Sequence, residues 1–316
     1  MEGENTALVN RVLKEYYEKN LSQKEIAYIE HVSKSTVSRI ISRAKEEGIV
    51  QIELRLDHVS AEKLEKDLQE CFDLEKVHVC PEILPDLQSR MQDVARSLAK
   101  DLKNLLQDGD ILAVGCGPIP EMLAGVMPAY GTFPGGIRVV QACGTVLSGQ
   151  DGFSAYRELQ RFAEKLCAVP QMLSVPILMS SAALAGALRS EPQIAAALSL
   201  AEKADVCIFT AGTMENITEL LRSGMIDREQ FGKLMGERTA GDVLFHFLDR
   251  TGNLADPNLD ARTMSVSFEG LKKKRLRILA AAGEDCAESV LGILRAGIPN
   301  RVYLDERTAV RVLGAV

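Results

Sequence analysis

The feature that most constrains the fold of this chain is the alternation of short apolar runs with amphipathic segments from Lys76 onward. The apolar runs do not alternate between apolar and polar residues, so each is predicted to be a strand buried on both sides. Such strands, each followed by a helix, form a mostly parallel sheet covered on both faces. Residues 76–316 are therefore predicted to form a Rossmann-like α/β domain, in which ligands bind at the carboxyl ends of the strands.

Apolar spacing sets the bounds of the predicted elements in this domain. The predicted strands are Lys76–Cys80, Ile111–Gly115, Ile137–Ala142, Val206–Ala211, Asp242–Leu248, Ile278–Ala282 and Val302–Leu304. The predicted helices lie near Leu87–Leu106, Glu121–Met127, Ser154–Leu166, Gln193–Lys203, Asn216–Arg222, Arg228–Met235, Ala287–Arg295 and Glu306–Leu313.

Four of the predicted strands run into turns of small residues. A glycine turn before a helix presents free N–H groups and the positive end of the helix dipole, which suits an anion. Tight-turn geometry alone accounts for many such sequences, so it is the four turns together that predict a shared ligand pocket. The turns are Gly115-Cys116-Gly117-Pro118, Ala142-Cys143-Gly144-Thr145, Thr210-Ala211-Gly212-Thr213 and Ala282-Gly283-Glu284-Asp285.

Residues 1–56 have the spacing of a winged-helix-like helix-turn-helix domain. Ser22 and Glu25 form the pattern of a capping box at the start of a short helix, Gln23–Ile29. His31 occupies the turn, where a positive φ is expected, and Ser33 is the predicted N-cap of a helix over Lys34–Glu47. The apolar contacts behind the turn are expected from Ile26, Val32, Val37 and Ile40, with small Ala27 where the two helices cross.

A glycine and an alternating segment follow this helix. Gly48 suits the left-handed position after its end. Ile49–Leu56 alternates between apolar and polar residues, which predicts a strand that serves as a wing or as a link onward.

The outward face of the helix that begins at Lys34 is polar and carries no acid before Glu46. Donor groups and short hydroxyl side chains on one helix face are suited to phosphates and base edges, so double-stranded DNA is the predicted partner. A helical bundle with a solvated face is the alternative, although such faces usually mix acids and bases. The candidate DNA-binding residues are Gln23, Lys24, Ser33, Lys34, Ser35, Thr36, Ser38, Arg39 and Arg43.

The distribution of charge agrees with this prediction. The chain carries a net charge of −7, whereas residues 1–56 carry nine basic and nine acidic residues, so the whole excess of acid lies beyond them. A basic helix on an acidic protein concentrates the attraction to phosphate on one element. Residues 57–75 are charged and helical in pattern, and we expect them to link the domains or to help dimerise the chain, unless this helix is purely structural.

Composition also excludes several classes of protein. No run of about 18 apolar residues predicts a membrane span, and the first residues lack the pattern of a secretory signal. The seven cysteines are dispersed singly, which favours a reduced cytoplasmic protein over a disulfide framework or a metal site. No motif for a nucleophile elbow, a zinc protease or a cofactor is present, so no catalytic residue and no cofactor are predicted.

Several motifs, taken in order along nearly the whole chain, resemble the SorC/DeoR-type family of sugar-responsive bacterial transcriptional regulators. The matching segments are LSQKEIAYIEHVSKSTVSRIISRAKEEGIVQIEL, LAVGCGPIPEMLA, VVQACGT, EKADVCIFTAGTM, TAGDVLFHFLDRTG and RILAAAGEDCAESVLGILRAGIPNRVYLDERTA.

This resemblance implies an effector domain of the glucosamine-6-phosphate deaminase or ribose-5-phosphate isomerase type. It also implies a homo-oligomer, a dimer or a tetramer, on a palindromic operator of a carbohydrate operon. A sugar or sugar phosphate bound at the strand-end turns would release or rearrange that complex.

The sequence departs from the family pattern at the implied phosphate site. Pro118 and Ile119 follow Gly117 where hydroxyl residues or arginine are common, and Cys286 stands where lysine is common. The effector is therefore either a phosphorylated sugar held by backbone amides, a neutral sugar or another polar metabolite. The candidate effector-binding residues are Gly115, Cys116, Gly117, Gln141, Gly144, Gly212, Thr213, Arg222, Asp242, Gly283, Glu284 and Cys286.

Two alternatives to a sugar-gated regulator follow from the same residues. An enzyme of the isomerase or deaminase type needs a positioned proton carrier, and His246 lies in an apolar run where a packed histidine is the expected role. A regulator gated by oxidation would use Cys116, because a helix start favours the thiolate.

Overall fold

The computed structural model describes residues 2–46, 49–50, 61–128, 133–145, 152–236 and 239–316. The chain folds as two compact units, Met1–Asp57 and His58–Val316.

The described part of the first unit consists of three helices, which are α1 (Glu2–Tyr17), α2 (Gln23–Ile29) and α3 (Lys34–Glu46). Val12, Ile26 and Val37 are fully buried between them. Ile41 is also buried, whereas Ile40 packs at the edge of this core. The helix-turn-helix thus takes its apolar contacts from the spacing that the sequence predicts, shifted by one residue on α3.

The turn between α2 and α3 has the predicted local chemistry. The Ser22 hydroxyl accepts a hydrogen bond from Glu25 N, and Ser22 N donates to the Glu25 carboxylate at 2.8 Å, which completes the capping box. His31 has φ 53°. Gly48 and residues 51–56 of the predicted strand lie outside the described residues.

In the described part of the second unit, seven parallel strands form one sheet in the order β1-β9-β8-β5-β2-β3-β4. Alternate residues of its central strands point into two separate apolar cores, as Ala113 and Leu112 of β2 do, so both faces are buried. The strands are β1 (Lys76–Cys80), β2 (Ile111–Val114), β3 (Arg138–Gln141), β4 (Pro170–Gln171), β5 (Val206–Phe209), β8 (Leu276–Ala281) and β9 (Arg301–Asp305).

The predicted strand Asp242–Leu248 is wrong as one element. The chain instead forms an antiparallel hairpin of β6 (Thr239–Val243) and β7 (His246–Asp249). Its two turn residues, Leu244 and Phe245, have φ 50° and 65°. A two-residue turn of this kind usually contains asparagine or glycine, so its sequence gives no signal of a turn.

Helices cover both faces of the sheet, and most agree with the predicted segments. The short strand β4 and the helices α8, α12 and α13 were not predicted. The helices are α4 (Ala61–Phe72), α5 (Leu87–Leu105), α6 (Pro118–Val126), α7 (Gly152–Leu166), α8 (Ala182–Arg189), α9 (Pro192–Glu202), α10 (Met214–Arg222), α11 (Arg228–Gly236), α12 (Pro257–Asp260), α13 (Phe268–Lys272), α14 (Ala287–Arg295) and α15 (Glu306–Leu313).

Helix α4 lies in the segment that we expected to link the domains. Leu68 is fully buried in the core of the second unit, and the Glu65 carboxylate accepts a hydrogen bond from Val79 N of β1 at 2.8 Å. It therefore packs as part of the second unit. None of the described helices is both long and apolar enough to cross a membrane.

Candidate functional site

Helix α3 presents a continuous polar face. Val37, Ile41 and Ala44 are buried and Ile40 packs at the edge of the core, whereas polar residues form the other side of the helix. The first turn of α3 contains no acid. The exposed members of this face are Lys34, Ser35, Arg39, Ser42 and Arg43, and Thr36 and Ser38 are half-buried at its edge.

Hydrogen bonds at the start of α3 fix the position of this face. The Ser33 hydroxyl accepts from Thr36 N at 3.1 Å and lies 2.8 Å from the hydroxyls of both Ser35 and Thr36. On α2, Lys24 is exposed and Gln23 is half-buried. The predicted DNA-binding side chains are thus gathered on α3 and the start of α2, on a framework that is held by its caps.

The carboxyl ends of β2 and β5 form the point where the strand order reverses. The chain leaves β2 towards β3 on one side and leaves β5 towards β8 on the other. Ligands of open α/β sheets bind in the crevice at such a point. The turns that contain Gly115 and Gly212 follow these two strands.

In each of the four turns, one glycine N–H group is already engaged in a hydrogen bond. Gly115 N donates to Ile208 O at 2.8 Å, Gly144 N to Met264 O at 2.7 Å, and Gly212 N to Asp242 O at 2.8 Å. Gly283 N donates to the Asp305 carboxylate and to the Thr308 hydroxyl. These amides are therefore unavailable to a phosphate unless their present bonds break.

The start of α6 also has few donors. Pro118 and Pro120 lack N–H groups, and Gly117, with φ 137°, provides no side-chain cap. A helix N-terminus binds anions through its free N–H groups, so two prolines in the first turn weaken that property.

A small cavity lies between the ends of β2 and β3 and helix α7. Its volume is about 10 Å³, room for one water or one hydroxyl group. The Gln141 side chain is held in place, since its oxygen accepts from Leu173 N and its nitrogen donates to the Thr145 hydroxyl. The lining residues are Val114, Gly115, Cys116, Gln141, Glu158 and Leu159.

Glu158 of α7 brings a buried carboxyl to this cavity. The side chain is 5% exposed, and its Oε1 atom has no hydrogen-bond partner. Burial, with Cys116 and Glu121 nearby, raises the pKa of Glu158 to about 9. The group is therefore neutral at pH 7 and can both donate and accept a hydrogen bond.

Two thiols lie side by side at the same strand ends. Val114 and Gln141 are paired in register, and each is followed two residues later by a cysteine, Cys116 and Cys143. Their Sγ atoms are 3.7 Å apart. The contact with Cys143 lowers the pKa of Cys116 and raises that of the buried Cys143.

Asp242 links the β6–β7 hairpin to α10. It is 2% exposed, its Oδ1 accepts from Asn216 Nδ2 at 2.8 Å, and its Oδ2 accepts from Phe245 N at 2.9 Å. Burial raises the pKa of Asp242 to about 6. Both oxygens thus support the left-handed hairpin turn and the neighbouring helix.

The remaining predicted residues are not among the described residues that line this cavity. Thr213 caps α10 through Glu215 N. Cys286 is buried and donates to Gly283 O, and Glu284 is partly exposed beside Arg307. Arg222 lies in the last turn of α10, where it pairs with Glu219 on the surface, so the structure does not bring it to the strand ends.

Glu158 was not among the residues predicted from the sequence, although the apolar stripe of its helix contains it. Glu158, Phe162 and Leu166 recur every four residues on the buried face of α7. A glutamate within an apolar stripe needs a reason, because an uncompensated buried carboxyl is costly.

A larger groove, of about 440 Å³, lies beside α9 and holds His246, Asp260 and Ser265 in line. His246 Nδ1 is 2.5 Å from Asp260 Oδ1, and Nε2 is 2.8 Å from both Ser265 Oγ and Val266 O. Both ring nitrogens are thus engaged by groups of the protein, and the ring is 3% exposed. That His246 is a packed histidine without a role in catalysis stays a prediction.

Comparison with known proteins agrees with this architecture. Residues 57–314 match the family model described as "Putative sugar-binding domain", and residues 10–46 match sigma-70, region 4. The deoxyribonucleoside regulator of Bacillus subtilis (strain 168) is 28% identical over 98% of both chains. The sorbitol operon regulator of Klebsiella pneumoniae is 23% identical over 96% of both chains.

Solved structures show the same fold. The full-length sorbitol operon regulator SorC from Klebsiella pneumoniae has a TM-score of 0.75 at 22% identity, with 98% of both chains covered. A domain of a possible sugar-binding transcriptional regulator from Arthrobacter aurescens TC1 has a TM-score of 0.72 at 22% identity and covers 80% of this chain and 98% of that one. The chain belongs to the family of this sugar-binding domain and is a transcriptional regulator of the SorC/DeoR type.

Proposed function

We propose that the chain controls a carbohydrate-metabolism operon: α3 reads the operator, and a sugar or sugar phosphate at the strand ends of the second unit changes operator affinity. The observation that carries the proposal is the presence, in one chain, of a polar face on α3 with no acid before Glu46 and a polar cavity at the β2–β3 ends. The first feature suits a DNA duplex and the second suits a small polar ligand.

Further parts of the proposal concern assembly and place of action. The operator is palindromic and the chain binds it as a dimer or tetramer, because two helix-turn-helix units related by twofold symmetry read two equal half-sites. The protein acts in the cytoplasm, where the operator is accessible.

We further propose that the chain is not an enzyme. Both ring nitrogens of His246 are engaged within the protein, Nδ1 by the Asp260 carboxylate and Nε2 by the Ser265 hydroxyl and the Val266 carbonyl. Asp242 is committed to Asn216 and Phe245. Neither group is thus free to move a proton on a bound sugar.

The experiment is a gel-shift titration of the DNA upstream of the chain's own gene, repeated with free and phosphorylated sugars. A thermal-shift screen of the same sugars identifies binders independently, since a ligand of the folded state raises the unfolding midpoint. We expect selective binding to that DNA and a change with at least one sugar. Equal affinity for random DNA would overturn the proposal that α3 reads an operator. Conversion of a sugar into a product would overturn the proposal that the chain is not an enzyme.

A second candidate function is gating by oxidation, and the distance of 3.7 Å between Cys116 Sγ and Cys143 Sγ favours it. The Cys116 thiolate would attack a hydroperoxide, break its O–O bond and form a sulfenic acid while the second oxygen leaves as an alcohol or water. The Cys143 thiol would then displace water from the sulfenic acid and form the disulfide. Peptide mapping after peroxide treatment tests this step. A Cys116–Cys143 crosslink that alters DNA affinity supports it, and an unchanged affinity after crosslinking overturns it.

A further inference from the structure

The described residues that line the cavity at the β2–β3 ends include a buried acid, Glu158, one of whose oxygens has no hydrogen-bond partner. Among the described lining residues none is a cation, and the polar groups are those of Cys116, Gln141 and Glu158. Glu158 is more than nine-tenths buried, and its Oε1 has no partner. A buried polar atom without a partner costs free energy, so its presence calls for a ligand or another compensating group.

The surroundings of Glu158 disfavour an anion. Three titratable groups on neighbouring elements interact with the charge of Glu158. Glu121 of α6 and Cys116 raise its pKa, and Glu158 in turn raises the pKa of Cys143. On α7 itself, Arg157 and Arg161 are exposed. The two prolines of α6 have no N–H group, and the glycine amides that bond elsewhere in the protein are not free to donate to an anion here.

We infer that Glu158 and Gln141 bind an uncharged hydroxyl group of the effector, and that any phosphate on the effector lies away from this cavity. This inference rests on the proposed function and gives that site its ligand chemistry. A cavity of about 10 Å³ has room for one hydroxyl group. A neutral carboxyl can donate one hydrogen bond to the hydroxyl oxygen and accept another from the hydroxyl hydrogen at the same time.

The pKa of Glu158, raised to about 9, agrees with this geometry. An ionised carboxylate would favour an ammonium group, whereas a neutral carboxyl matches a hydroxyl. Glutamine keeps one donor and one acceptor at nearly the same places. The Glu158→Gln substitution should therefore preserve binding of a hydroxyl group and abolish binding of an ammonium group.

The test uses the full chain and three variants: Glu158→Gln, Glu158→Met and, as a control on the exposed side of the same helix, Glu164→Met. The probes are 2-deoxy-D-ribose, D-ribose and D-sorbitol, each free and as its terminal phosphate. Thermal unfolding of the wild type identifies the probe that raises its unfolding midpoint most. Titration calorimetry with that probe then gives the dissociation constant of every variant.

We expect Glu158→Met to weaken binding about tenfold, the loss of roughly one hydrogen bond, with Glu158→Gln within about threefold of wild type. The ligand-free Glu158→Met protein should also unfold at a higher temperature, because an unpaired buried acid has been removed. Infrared difference spectra should show the neutral carboxyl band shifting when the probe binds, without loss of intensity.

Other outcomes overturn the inference. Unchanged binding by Glu158→Met removes Glu158 from the site. Equal losses in Glu158→Gln and Glu158→Met would show that the bound sugar needs the ionised carboxylate, which contradicts a neutral carboxyl at the site. Binding of only the phosphates, with the same affinity in the wild type and both variants, leaves Glu158 without a role. If no probe raises the unfolding midpoint of the wild type, and Glu158→Met unfolds at a lower temperature than the wild type, Glu158 has only a structural role. A wild type that binds sugar but not DNA contradicts the proposed function alone.

Discussion

The carboxylate of Asp305, at the end of β9, accepts a hydrogen bond from Gly283 N, at the end of β8, with an N–O distance of 3.1 Å. Its other oxygen lies 2.5 Å from Arg90 Nη1, and both side chains are buried. The turn after β8, which the sequence predicts as an anion site, therefore already holds an anion that belongs to the protein.

Replacing Asp305 by alanine should lower the free energy of unfolding by about 3–5 kcal/mol, because it leaves the Arg90 guanidinium buried and unpaired. Urea unfolding measures this loss. The exposed pair of Arg250 and Glu288 supplies the control, and Glu288→Ala should cost less than about 1 kcal/mol. Equal effects of the two substitutions would contradict the importance of the buried pair.

The close approach of β6 to the turn after β5 depends on Gly212. A Cβ atom at this residue would lie 2.0 Å from Asp242 Oδ1. Gly212→Ala should therefore destabilise the protein by about 1–3 kcal/mol. Gly186→Ala, on exposed α8 with nothing within 4 Å of the new atom, should instead stabilise it by roughly 0.5–1 kcal/mol. Thermal unfolding compares the two, and a neutral Gly212→Ala would show that Asp242 moves at no cost.

The raised pKa of Glu158 predicts how stability depends on pH. The ordinary glutamate pKa is 4.5, and the folded chain raises it to about 9. Between these values the folded state holds one more proton than the unfolded state, so its free energy of unfolding falls as pH rises. Glu158→Gln lacks this dependence, and the stability difference in favour of the variant should widen from about pH 5 to pH 9. The contribution of Asp242 is common to both proteins and cancels. Parallel profiles would show that Glu158 ionises normally.

Arg39 lies at the centre of the exposed face of α3. If it contacts a base, Arg39→Ala should weaken operator binding by about 1–3 kcal/mol and relax the preference at one position. Fluorescence anisotropy with the upstream DNA measures the effect. Lys14→Ala, which removes an exposed charge from α1, serves as the control and should change affinity by less than about twofold. A similar loss in both variants would indicate general attraction to DNA without base contact.

The sequence predicts the parallel sheet well because its strands are buried on both faces and are bounded by glycine turns. It fails at the hairpin of β6 and β7, since Leu244 and Phe245 adopt positive φ without a turn residue. The Asp242 carboxylate, which accepts from Phe245 N, supports that turn from within the fold. Such tertiary support is invisible in a local pattern.

The site at the strand ends stays a prediction, and the structure agrees only in part with its expected composition. Of the predicted residues, Gly115, Cys116 and Gln141 line the cavity at the β2–β3 ends. The Gly283 amide of another turn is engaged by Asp305. Arg222 was expected at the ligand, but a helix rises about 1.5 Å per residue, so its position at the far end of α10 separates it from the strand ends. Glu158 was missed because a glutamate on a helix is usually solvated.

The most direct test of the account is an anisotropy titration of the wild-type chain with its upstream DNA at one fixed moderate salt concentration, with and without the sugar found by thermal shift. The account predicts at least tenfold preference over a scrambled duplex and a shift of that affinity when the sugar is present, in keeping with the typical coupling between two sites of about 1–3 kcal/mol. The same affinity for both duplexes, unaltered by a sugar that demonstrably binds, would contradict it.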